Sequence, residues 1–142
     1  MTPAWLLLLF LASFDKFPAA EKFSGKPAAP VIRTRFQRLY RTMIRDAAAK
    51  GPNFAGHFTI AQWGCGAGCV SIAIVDEKTG HVWDGPFKAL SMKATDSQEP
   101  LEFRLDSRLL IAHGCPEEKN CADYYYEWTG TGFKLLRTTG RE

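Results

Sequence analysis

The chain has 142 residues, 46% of them hydrophobic and 13% aromatic, with a formal net charge of +3. That length suits one domain with a buried core, and the composition excludes an intrinsically disordered chain. The charge is uneven, with nine Lys/Arg against three Asp/Glu in residues 1–56 and nine against twelve in 57–142.

The chain begins with an apolar run, residues 5–14 (WLLLLFLASF). A membrane span needs about 20 such residues, so this run is too short to cross and fits the apolar region of an export signal. Ala19 and Ala20 mark a candidate cleavage point, although Pro18 stands where a small residue is wanted. We read residues 1–20 as a signal peptide, with the mature chain starting near Glu21. The competing reading is a buried N-terminal segment of a cytosolic domain. Removal of the signal would leave no stable membrane span, and the expected location is exported, periplasmic or secreted. Residues 21–30 (EKFSGKPAAP) lack periodicity and read as a mobile linker. Residues 31–142 follow as a single domain.

From 31 to 50 the spacing becomes helical. At 100° per residue Ile32, Phe36, Leu39, Tyr40, Met43, Ile44 and Ala47 share one arc, and Gly51-Pro52 supplies a stop. The spacing predicts one long amphipathic helix, a rod about 30 Å long. Arg38, Arg41 and Arg45 lie on its other side with Arg35. They could face an anionic partner, but a solvated outer face is the simpler use. No aromatic residues interleave the arginines, which argues against nucleic acid.

Beyond the helix, short apolar runs alternate with turn signals. Phe58–Gln62, Val70–Ile74, His81–Trp83, Leu101–Leu105, Arg108–Ala112, Asp123–Trp128 and Phe133–Leu136 carry the strand patterns. They predict an α+β domain, the long N-terminal helix packing on a meander-like antiparallel sheet of five to six strands. An up-and-down path brings the 63–69 turn, the 86–99 loop and the 114–121 loop to one rim. The tight turns at 77–80, 106–107 and 129–132 then occupy the other.

Four cysteines sit on the long-loop rim: Cys65 and Cys69 with three residues between them, Cys115 and Cys121 with five between them. An even count behind an export signal favours two disulfides. Local pairing closes small rings worth roughly 2 kcal/mol each, and crossed pairing closes larger rings worth roughly 4 kcal/mol each. We favour local pairing because it forms more readily, and spacing alone leaves the crossed forms open. A closed tetrathiolate zinc site or a redox dithiol is the alternative use of this rim. Neither pair has the two-residue spacing that either chemistry prefers, so no metal and no cofactor is expected.

His57, His81 and His113 do not converge on this path, and no nucleophile, zinc-helix or phosphate-loop motif is present. We expect Tyr124, Tyr126 and Trp128 in the core, Tyr125 on the opposite polar face, and Trp63 with Trp83 as core partners. The residues expected to meet a partner are Trp63, Gly66, His113, Glu117 and Lys119, on or beside the long-loop rim, and Tyr125 on the polar face of its strand.

The run from Gly51 to Phe58 (GPNFAGHF), Trp63 to Cys69 (WGCGAGC), Phe103 to Leu110 (FRLDSRLL) and Tyr124 to Trp128 (YYYEW) resembles an uncharacterised family of small exported bacterial proteins. The resemblance covers most of the chain after residue 40. It implies export and supplies no catalytic residues. The expected function is therefore a non-enzymatic exported binding or inhibitor-type module whose partner is an envelope or extracellular protein. A metal-binding or thiol-redox protein using Cys65, Cys69, Cys115 and Cys121 is the alternative. The sequence does not specify an oligomeric state.

Overall fold

Alternating side chains build two faces into nearly every strand here, and the structure uses both. It is a computed structural model that describes residues 13–92 and 99–140. Residues 1–12, with most of the apolar run read as an export signal, 93–98 of the irregular 86–99 loop, and 141–142 lie outside the described residues. In chain order come α1 (Arg35–Leu39), α2 (Arg41–Ala49), β1 (Phe58–Gly66), β2 (Cys69–Asp76) and β3 (Val82–Asp84). Then follow β4 (Leu90–Ser91), β5 (Leu101–Glu102), β6 (Leu109–Pro116), β7 (Ala122–Trp128) and β8 (Phe133–Gly140). The strands form one eight-stranded antiparallel sheet along the path β1-β2-β4-β6-β7-β8, with β3 added to β2 and β5 added to β6.

The two halves of the sheet share a core. Phe58, Ile60, Ile72 and Ile74 from β1 and β2 pack with Leu110, Ala112, Tyr126 and Trp128 from β6 and β7, around Phe54 and Leu90. Each fully buried side chain of this size is worth about 1.5–3 kcal/mol. The opposite face of β1 and β2 presents Ala61, Trp63, Ala73 and Val75 to Ile44 and Ala48 of α2, with Phe36, Tyr40 and Ala47 around them. The opposite face of β6 and β7 presents Leu109, Ile111 and Tyr125, covered by Phe14 and Phe17.

Three expectations are corrected. The single helix over 31–50 is two short ones. Thr34 caps α1: its hydroxyl accepts from the Gln37 amide at 3.0 Å, while Gln37 Oε1 accepts from the Arg33 amide at 2.8 Å. Gln37 is buried, and its Nε2 also donates to Val82 O at 3.2 Å and Asp84 Oδ1 at 3.3 Å. This pins α1 to β3. Tyr40 then leaves helical geometry (φ −111°, ψ 21°), and its ring lies 4.9 Å from that of Trp63. The break turns Leu39 and Met43, 70% and 50% exposed, off the packing arc.

The sheet has eight strands rather than five to six. The two-residue β4 leaves no periodic trace, and the Leu101–Leu105 run pairs only at Leu101 and Glu102. Trp63 and Trp83 are also not partners: Trp63 faces the helices, whereas Trp83 packs 5.4 Å from Trp128 in the other layer. Among the described residues no helix is long and apolar enough to cross a membrane.

Residues 14–31 run along the tight-turn rim as a strap. The Phe23 amide donates to Gly56 O at 3.0 Å, that of Ala28 to Glu77 O at 2.9 Å, and that of Val31 to Gly80 O at 2.8 Å. The 21–30 stretch, whose composition reads as a mobile linker, is thus hydrogen-bonded to the domain.

Candidate functional site

The cysteine pairs are local. Cys65 is bonded to Cys69 and Cys115 to Cys121, with Cα–Cα distances of 5.1 Å and 4.0 Å. The four thiolates that a closed zinc site would need are therefore bonded in pairs. The first pair closes the β1–β2 turn and the second the β6–β7 turn. β4 joins them, since Ser91 is the register partner of Cys69 on one side and of Cys115 on the other. The Met92 amide donates to Gly68 O at 2.7 Å and the Glu117 amide to Ala89 O at 2.9 Å. Glu117 Oε1 accepts from the Lys88 amide at 2.7 Å, and the Ser71 hydroxyl donates to Lys88 O at 2.7 Å. Gly114 makes the approach possible: a Cβ there would sit 2.5 Å from Ser91 O.

This places Gly66, Ala67 and Gly68 on one exposed tip and Glu117, Glu118, Lys119 and Asn120 on the other. Glu117, Glu118 and Asn120 hold positive φ values of 52°, 63° and 49°. In L residues that backbone conformation carries strain of order 1–3 kcal/mol, and it persists only where surrounding bonds impose it. Here the Glu118 amide donates to Cys115 O at 3.1 Å, the Lys119 amide donates to Pro116 O at 3.0 Å, and the Tyr124 hydroxyl donates to Asn120 O.

Of the residues expected to meet a partner, Gly66, Glu117 and Lys119 share this surface. Trp63, Tyr125 and His113 do not. Trp63 is buried because it alternates in phase with Ala61 towards α2. Tyr125 is buried beneath Phe14 and Phe17, with the Arg137 guanidinium 4.1 Å above its ring. His113 is buried between two carboxylates, its Nδ1 2.7 Å from Asp123 Oδ1 and its Nε2 2.6 Å from Glu102 Oε2. Arg38, Arg41 and Arg45 are exposed on the helices, away from the cysteines. Two of them bond to backbone, Arg38 Nη1 donating to Arg33 O and Arg41 Nη1 to Arg38 O, both at 2.8 Å.

The His113 trio sits in a cavity of 590 Å³ with Tyr125, Arg137 and Thr139. A signal for part of it exists: with Cys115 paired to Cys121, the residues two places outside the ring face each other across the hairpin, and these are His113 and Asp123. Glu102 comes from β5, whose pairing to β6 brings it opposite Ile111, beside His113, a juxtaposition that the alternation of 101–105 does not show.

The tight-turn rim holds groups that sequence reasoning leaves apart. His57 Nδ1 lies 3.0 Å from Asp76 Oδ1. Glu77 is fully buried, bonded through Oε1 to the Thr59 hydroxyl, and its Oε2 has no partner among the described residues. Thr59 Oγ1 is also 2.9 Å from Gly51 O, which can only accept. One hydroxyl hydrogen cannot serve both oxygens. A protonated Glu77 resolves the count, its carboxyl O–H donating to Thr59 Oγ1 and Thr59 donating to Gly51. Burial accordingly holds the Glu77 carboxyl above its ordinary range, opposed by the Thr59 bond and reinforced by the Asp76 charge.

No family model, curated protein or solved structure matches this chain.

Proposed function

We propose that the chain is a non-enzymatic exported binding module of the inhibitor type. Its contact surface is the double tip formed by 66–68 and 117–120, and its partner is an envelope or extracellular protein. The single observation that carries this reading is the backbone of Glu117, Glu118 and Asn120, held at positive φ in an exposed, disulfide-closed loop. Loops fixed in advance lose less entropy on binding, which is what a docking surface gains from two disulfides and a bridging strand. Two disulfides also suit an oxidising compartment.

The test is site-specific photo-crosslinking in the cell that makes the protein. The photoreactive residue is placed at Ala67 or Lys119, with Arg45 and Lys134 as exposed positions away from the tip. A discrete adduct from the first pair and none from the second is expected. Equal adducts at all four positions, or none at any, would overturn the assignment.

A further inference from the structure

Residues 14–20 are tied to the segment from Arg104 to Ile111 and to β7. Phe14 and Phe17 cover Leu109, Ile111 and Tyr125, which are 1%, 3% and 4% exposed beneath them. The Arg104 guanidinium lies 4.3 Å over the Phe14 ring. The buried Ser107 hydroxyl is 2.8 Å from Phe14 O and 2.9 Å from Phe17 O. The Arg108 amide donates to Phe17 O at 2.7 Å, and its Nε donates to Pro18 O at 3.0 Å. The Ala19 amide returns a bond to Asp106 O at 3.0 Å, making Pro18 and Ser107 an antiparallel bridge. Gly56 completes the seat, since a Cβ on it would lie 2.7 Å from both Ala20 O and Glu21 O.

We propose that the export signal ends at or before Ser13, so that the mature chain keeps residues 14–20 as the start of a docked strap. This rests on the export reading and replaces a cut after Ala20. Cleavage after Ala20 would strip away the two phenylalanines and every hydrogen bond made by 14–20. It would open an apolar face at Leu109, Ile111 and Tyr125, and it would leave the buried Ser107 hydroxyl without either carbonyl. Either cut leaves one mismatch with a small-x-small site, Leu11 for a cut after Ser13 and Pro18 for a cut after Ala20, so the docked contacts of 14–20 decide between them. The step is hydrolysis by a signal peptidase. Water adds across one amide bond, leaving a carboxylate on the leader and a free amine on the mature chain.

The experiment expresses the full chain with its own leader in a Gram-negative host and reads the N-terminus of the periplasmic protein by sequencing and intact mass. A mature chain beginning at or before Phe14 is expected. A start at Glu21 or beyond in an exported protein overturns the retained strap and leaves export standing. An uncut cytoplasmic chain overturns both. A second pair carries a surrogate leader joined directly to Phe14 or to Glu21. The chain from Phe14 should melt higher by roughly 5 °C or more. Equal melting temperatures would overturn the structural role on which the cleavage argument depends.

Discussion

Cys69 and Cys115 are one residue apart across the sheet: Ser91 pairs with both, from opposite sides. Two hairpin ends that are remote in sequence thereby become one surface. Gly114 keeps the crossing open, and the 117–120 tip inherits its position from Ala89 and Lys88. Rigidity at this rim comes from backbone pairing as much as from sulfur.

The strap makes a specific demand on Gly56, which has φ +88° and no room for a side chain beside Ala20 and Glu21. Gly130 has φ +104°, and a Cβ on it would meet nothing within 4 Å. Both Gly→Ala changes lose backbone freedom, but only the first meets a wall. Gly56→Ala should destabilise more than Gly130→Ala by at least about 1 kcal/mol in urea unfolding. Equal losses would mean that the strap gives way freely.

Glu77 gives a pH dependence of definite sign. Its folded carboxyl titrates above the ordinary range because burial disfavours the anion. Between the unfolded and folded values the native state holds more protons, so stability falls as pH rises through that window. Glu77→Gln keeps a donor for Thr59 and removes the titration. The variant should match the parent below the ordinary carboxylate range and exceed it progressively as pH rises. A stability difference independent of pH would contradict a neutral Glu77.

The two-helix arrangement separates residues that a continuous helix would treat alike. Ile44→Ala opens a cavity under Trp63 and Val75 and should cost about 2–5 kcal/mol. Leu39→Glu, on an exposed position, should change stability by no more than about 0.5 kcal/mol. Thermal unfolding of the two variants checks the contrast, and a large loss at Leu39 would favour the continuous helix.

The pattern of DYYYEW is legible because a strand alternates strictly, so Tyr126 and Trp128 fall in one layer and Tyr125 in the other. What covers Tyr125 is not legible, since Phe14 and Phe17 sit in a stretch that reads as leader. The helical arc finds Ile44 and Ala47 but places Leu39 and Met43 beside them. A one-residue break at Tyr40 does not disturb a periodicity averaged over 20 residues. Glu77 reads as a solvated turn residue. Its burial comes from Thr59 and from the strap backbone at Ala28, contacts that no local pattern encodes. Trp63 stands next to the cysteine turn and looks available, yet its strand phase sends it inward.

The most direct test of the rim is a disulfide map of the protein, purified without reductant, from unreduced tryptic digests. Cys65 and Cys69 lie in one peptide, 51–78, whereas Cys115 lies in 109–119 and Cys121 in 120–134. The account predicts 51–78 as a single peptide two hydrogens lighter than its reduced form, and 109–119 joined to 120–134. Peptide 51–78 joined to either of the others, or four alkylatable thiols, would contradict it and remove the fixed double tip on which the proposed binding surface stands.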